Sequence, residues 1–345
     1  MATRGQCQMS NAWLSQVNEE IIDPQRPIID PHHHLWQNKK NIPNYELDNL
    51  WEDTRSGHNI IGTVFIECST NYRKGGPEQM RSVGETDYVA SAAEESLRQT
   101  GSGHPPILGI VSHADLRLGA DVQEVLDAHH NAANGLLRGI RHSAAYYPDP
   151  PAVDRYAGRV KHLMLRKDFR QGFAKLAPAG LTFDAWLLHP QICELTELAR
   201  AFPETTIIFD HFGGPLGIGP YKDRQADIFS QWKRDVAELA RCKNVVAKLG
   251  GLAMMINGWG WDTRATPATS DEIVAAHEGY YLHMVDCFGP ARCMFESNFP
   301  VDKASVSYGV LWNAFKKIAE RFTENEKTAM FRSNAECIYR LDPPT

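Results

Sequence analysis

The chain of 345 residues has no run of about eighteen apolar residues, the length a helix needs to cross a bilayer. Its opening, MATRGQCQMSNAW, lacks the apolar core of a secretory signal. These two absences lead to the expectation of a soluble, cytoplasmic protein with no membrane partner. A basic stripe is missing too: acids and bases are interspersed and the formal net charge is −6, which argues against nucleic acid and leaves small molecules as partners. No low-complexity tract, short repeat or linker divides the chain. Seven cysteines occur without any C-x-x-C pair, so they read as reduced thiols, and no structural zinc is expected at Cys287 and Cys293.

What the chain does have is a series of short, β-branched apolar runs. They are PIID near Ile29, IIGTVFIE (Ile60 to Glu67), ILGIVS (Ile107 to Ser112), LLRGIRH (Leu136 to His142), FDAWLL (Phe183 to Leu188), TIIFDH (Thr206 to His211), NVVAKL (Asn244 to Leu249) and RCMFES (Arg292 to Ser297). Helical segments such as ADVQEVLDAHHNAA, PQICELTELARAF and IFSQWKRDVAELARC separate most of them. Eight strand-helix units imply an α/β fold, a (β/α)8 TIM barrel over about 28–300, with a C-terminal helical segment over 301–345 and a single domain over 1–345.

Barrels of this kind carry their active sites at the C-terminal ends of the strands. Here those ends read His32/His34, Glu67, His113, Arg141/His142, His189, His211, Lys248 and Glu296/Asn298. Any one of them is readily a solvated strand end; the whole set is less readily so. Within IIDPHHHLWQ, an extended strand alternates its side chains, which predicts Asp30, His32 and His34 on one face and His33 on the other. Two imidazoles two residues apart can share one metal ion or one anionic substrate group.

The motifs DPHHHLW, GIRH, the HP of AWLLHPQ, DHFGGP and the late SNFP, in this order from about Ile28 to about Leu341, resemble the amidohydrolase superfamily, specifically its lactonase-like amidohydrolase 2 branch. The resemblance implies the same barrel. Relatives include sugar-acid lactonases and hydrolases of muconolactone- or pyrone-type lactones, and a neighbouring branch decarboxylates aromatic acids without oxidation. By this resemblance His32 and His34 match the first-strand pair and His211 the sixth-strand histidine, three catalytic residues and ligands of one divalent metal, zinc or manganese. Arg141 resembles the arginine that holds a substrate carboxylate or carbonyl, His189 the fifth-strand HP histidine, and Lys248 a substrate-facing lysine, with charge balance against a nearby acid as the alternative. Glu67 joins them as a substrate-binding or base candidate.

One departure stands out. Where the family carries G-S-D-W-P, this chain has E-S-N-F-P, so Asn298 occupies the place of the catalytic aspartate. An amide is neither a general base nor an anionic ligand. Glu296, two residues earlier on the same strand face, is a candidate replacement, as are Asp302 and Glu67; an internal ion pair with Lys248 is the alternative for Glu296. A metal-free site, with the histidines and Arg141 holding substrate directly, stays open.

The segment GGLAMMINGWGWDTRATPATSDE after the seventh strand supplies Trp259 and Trp261, expected either as a substrate-binding lid or as packing against a second copy in a homo-oligomer. The function expected is hydrolysis of a carboxylated or aromatic lactone. Non-oxidative decarboxylation of an aromatic acid is the alternative, as is an isomerase-like or binding protein that has lost its base.

Overall fold

The structure is a computed structural model and describes residues 10–39, 42–100, 103–147 and 160–343. Cys7 and most of the opening segment lie outside the described residues. Among those described, no helix is long and apolar enough to cross a membrane.

Each predicted apolar run forms a strand: β1 (Pro27–His33), β2 (Asn59–Ile66), β3 (Ile107–Ser112), β4 (Leu137–Ile140), β5 (Thr182–Ala185), β6 (Ile207–Phe209), β7 (Val245–Leu249) and β8 (Cys293–Phe295). They pair in parallel in sequence order. The sheet closes where His34 N–H donates to Phe299 O at 2.8 Å and Asn298 N–H to His32 O at 3.0 Å. The result is a TIM barrel, and its helices follow the strands one for one: α1 (Leu47–Thr54), α2 (Val83–Arg98), α3 (Val122–Ala132), α4 (Lys167–Phe173), α5 (Ile192–Ala201), α6 (Gln225–Leu239), α7 (Ser270–Phe288) and α8 (Tyr308–Ala319). The C-terminal segment adds α9 (Glu324–Thr328) and α10 (Asn334–Tyr339).

The helices form for local reasons. In α5, Ile192, Leu195, Leu198 and Ala199 recur at helical spacing and are buried against the sheet. At the start of α7, Thr269 Oγ1 accepts from Glu272 N–H and Glu272 Oε2 from Thr269 N–H, a reciprocal cap that sets where the loop after β7 ends.

The barrel interior has two storeys. Below, Ile29, Val64, Ile66, Leu108, Val111, Ile208, Val246 and Met294 fill the lumen, and Ala335 and Tyr339 of α10 with Leu341 close it from beneath. The C-terminal helix is therefore the floor of the barrel, and Tyr339 passes upward through it to donate its hydroxyl to Asp184 at 2.6 Å. Above lie the polar residues of the site.

Strand parity fails at one place. Between Asp30 and His33, β1 advances three residues while β2 advances only from Thr63 to Phe65, a bulge that inserts one extra residue. Asp30 is thereby turned outward, where it accepts from Ser297 Oγ at 2.6 Å and from Tyr308 Oη of α8 at 2.9 Å. The expectation that Asp30 shares a face with His32 is corrected for that reason. His33 points away from the barrel mouth and packs edge-on against Phe65, with neither ring nitrogen hydrogen-bonded.

Burial pushes both His33 and His277, a residue of α7, down to about 3. Such a depressed pKa contributes stability above the unfolded value near 6.5, lost as pH falls toward the folded value, at about 1.4 kcal/mol per pH unit for each histidine. His277→Phe is therefore expected to make the acid limb of stability against pH shallower by about that slope between roughly pH 6 and 4. Chemical denaturation at a series of pH values reads it, and an unchanged slope would count against a buried neutral His277.

Candidate active site

Above the apolar layer the lumen is held by one ammonium. Lys248 of β7 is completely buried and pairs with Asp184 of β5 at 2.8 Å, Asp210 after β6 at 3.4 Å and Glu296 after β8 at 3.8 Å. Burial opposes its charge, but the three acids more than offset that and raise its pKa. Lys248 does not line the cavity at the mouth, and its contacts are with the acids around it.

Glu296 is also fully buried and bridges two imidazoles. Its Oε1 lies 2.7 Å from His211 Nδ1 and its Oε2 2.6 Å from His32 Nδ1. At His211 the hydrogen bond from Nδ1 to Glu296 turns the Nε2 electron pair outward, the usual support for a ligating histidine, while at His32 the Lys248 ammonium also lies 3.1 Å from Nδ1. Glu296 does not line the cavity, and its two oxygens face the imidazoles. Burial pushes Glu296 up to about 8, and burial likewise pushes Asp210 up to about 6.

Burial, reinforced by Lys248, holds His32 well below its usual pKa, and burial brings His211 down to about 3. Both rings are therefore neutral. Their partner in the site is Asp210, which sequence reasoning passed over: one donor atom each from His32, Asp210 and His211 come within 4.8 Å of one another. Strand alternation puts Asp210 and its neighbour His211 on opposite faces, but His211 sits at φ 52°, in the left-handed region, and both side chains turn inward. Gly251 lets the ring in, since a Cβ there would stand 2.3 Å from His211 Nδ1. The signal available in the sequence was the DH pair itself.

These residues fit a divalent cation. Neutral imidazoles and a carboxylate are suitable donors, and neither oxygen of the buried Asp210 has a hydrogen-bond partner among the described residues. Lys248 pairs with Asp184, Asp210 and Glu296, and Arg141 with Glu67 and Asp210. The expected ligand set of His32, His34 and His211 is thus replaced by His32, Asp210 and His211. His34 lies outside that set; its Nδ1–H donates to Ile66 O at 2.7 Å, which leaves Nε2 as an acceptor.

A cavity of about 350 Å³ opens above this set, walled by Trp36, Trp186 and Met254. Of the sequence candidates, His34, Glu67, Arg141, His211 and Asn298 line it. Arg141 has two acid partners: Nε donates to Glu67 Oε1 at 2.8 Å, and Nη1 lies 3.8 Å from Asp210 Oδ2 and 3.4 Å from His32 Nε2. Asn298, at φ 54°, donates one amide N–H to the buried Asp302 at 2.9 Å, so Asp302 reaches the cavity only through it.

His32, Lys248 and Glu296 lie outside the cavity lining, and so do three further candidates. His189 accepts Leu216 N–H at its Nδ1 and meets Tyr221 edge-on. Trp259 and Trp261 stack on each other at 5.8 Å and both contact His277, so they anchor the loop after β7 to α7 and leave Met254 to face the mouth. The glycines of GGPLGIGPY serve the same loop: at Gly217 a Cβ would stand 2.0 Å from Asn257 O. Trp186, which sequence reasoning also missed, sits 5.1 Å from His211.

The fold and the site define an amidohydrolase-type enzyme with a candidate metal-binding triad in the mouth of a barrel. The chain belongs to the amidohydrolase family, whose model (Amidohydro_2) matches residues 29–341. It is 33% identical over 326 residues to the uncharacterized protein y4mH of Sinorhizobium fredii, covering 91% of this chain and 98% of that protein. It is 27% identical over 211 residues to an L-fucono-1,5-lactonase of Burkholderia multivorans, covering 60% of this chain and 64% of that protein. A crystal structure of an amidohydrolase from Burkholderia multivorans with bound zinc superposes with a TM-score of 0.70 at 21% identity, covering 91% of this chain and 99% of that one.

Removing the central ammonium leaves three buried acids uncompensated. Lys248→Met is expected to lower stability by about 3 to 5 kcal/mol. Adding Asp184→Asn should restore part of the loss. Urea denaturation of the two variants checks both, and a Lys248→Met midpoint equal to that of the wild type would contradict the ion-pair network.

Proposed function

We propose that the protein hydrolyses a small lactone, a single-ring cyclic ester with an anionic or aromatic substituent, in the cavity at the barrel mouth. The observation that carries this reading is the convergence of an acceptor nitrogen on His34, a cationic donor on Arg141 and His211 of the triad on one cavity. Ester hydrolysis asks for those three things: a proton acceptor for the attacking water, a donor for the developing oxyanion, and a fixed electrophile.

In this reading His32, Asp210 and His211 hold a divalent ion, zinc or manganese, which when bound polarises a carbonyl and acidifies water. His34, with Nδ1–H tied to Ile66 O, presents Nε2 as an acceptor and takes the proton from the attacking water. Burial and then Arg141 hold His34 well below its usual pKa, so the nitrogen keeps its electron pair across the neutral range. Arg141, oriented by Glu67, turns Nη1 toward the triad and donates to the oxyanion. Glu296 and Lys248 act as positioning residues beneath the site. Asn298 lends its remaining amide hydrogen and carbonyl oxygen to substrate. Trp36 and Trp186 restrict the space to a flat ring and exclude water from its faces. The similarity to an L-fucono-1,5-lactonase supports a cyclic ester over an aromatic acid.

Acid release from a panel of five- and six-membered lactones, followed with a pH indicator with and without added zinc or manganese, tests the reading. At least one lactone should be opened, and His34→Gln should lower kcat by about 100-fold with KM little changed. Carbon dioxide release from aromatic acids without opening of any lactone would replace this function by decarboxylation.

A further inference from the structure

The cavity is lined by two cations, and they are differently placed. Arg141 is committed to Glu67 and Asp210. Lys39, on the loop after β1, is half-buried at the rim, and its ammonium makes a single hydrogen bond, to the carbonyl of Cys68 at 2.5 Å. It also lies 4.8 Å from the Trp36 ring. No carboxylate pairs with it among the described residues, although an ammonium has three hydrogens to donate. Trp36 stacks on His34 at 6.2 Å and His34 meets His32 edge-on at 5.0 Å, so a row of rings runs from the triad to Lys39. A ligand with its reacting carbonyl at the triad end would extend along that row toward an unpaired positive charge.

We infer that Lys39 receives the anionic end of the substrate and so selects carboxylated lactones over neutral ones, with Arg141 left to the reacting carbonyl. The inference rests on the lactone reading for its chemistry. The Trp36 face guides the ammonium into the cavity, and the Cys68 carbonyl holds it there while leaving donors for a carboxylate. Lys39 makes no contact with the triad, and it acts on binding rather than on the bond-breaking step.

The test compares wild type with Lys39→Met, which keeps the stem over Trp36 and removes the charge, and with Lys39→Arg. The probes are 2-pyrone-4,6-dicarboxylate, a dianion, and uncharged L-fucono-1,5-lactone; affinity is read as KM where a probe is hydrolysed and as a calorimetric Kd where it is not. Lys39→Met should weaken the dianion by roughly tenfold with kcat nearly unchanged, leave the neutral lactone unaffected, and be rescued by Lys39→Arg. Equal weakening of both probes would reduce Lys39 to a tie between two loops. An unaffected dianion, or a wild type that does not bind it at millimolar concentration, overturns the inference. If the dianion binds through Lys39 while no lactone is opened, the lactone reading fails and the assignment of Lys39 stands.

Discussion

The buried ammonium of Lys248 is the constraint on which the rest of the site depends. It joins β7 to acids from β5, β6 and β8, and Tyr339 rising from the C-terminal helix completes the cluster through Asp184. A charge in that position is costly unless every acid around it is held in place, and each acid in turn holds something else. Glu296 holds the two imidazoles, and Asp210 stands beside them without a hydrogen-bond partner among the described residues. The candidate site at the mouth thus stands on a charge cluster whose ammonium does not line the cavity.

Arg141 is tied into the same ledger from above. Glu67 and Asp210 keep its guanidinium charged despite burial, and its Nη1 stands next to His32. Asp184, Asp210 and Glu296 surround the one Lys248 ammonium, a local excess of negative charge. Burial, with the neighbouring acids adding to it, raises Asp210 to about 6 and Glu296 to about 8. A divalent ion at the triad would offset the same excess without protons.

Much of this was legible in the sequence. The eight apolar runs were readable because parallel barrel strands, buried on both faces, are continuous and β-branched, and the strand-end histidines followed from the rule that barrel sites lie at one end. Side-chain direction was less legible. Alternation held for His32 and His33 and failed at Asp30, where one inserted residue reverses the phase, and at Asp210–His211, where a left-handed φ does the same. Depth was harder still: Lys248 and Glu296 lie on the right face but a layer below the cavity, and Trp259 and Trp261 turn back onto α7. Lys39, from the loop after β1, carries no local motif, and Trp186 lies in AWLLHPQ, a stretch whose signal is its HP pair. The substitution at Asn298 was visible, but its pairing with Asp302 four residues on was weighed only as a separate acid.

The most direct test of the charge excess is calorimetric titration of zinc or manganese into metal-stripped wild type and Asp210→Asn at neutral pH. The account predicts one equivalent bound by the wild type, and binding weaker by roughly tenfold or more in the variant. Equal affinity in the two proteins, or no binding by the wild type, would contradict it.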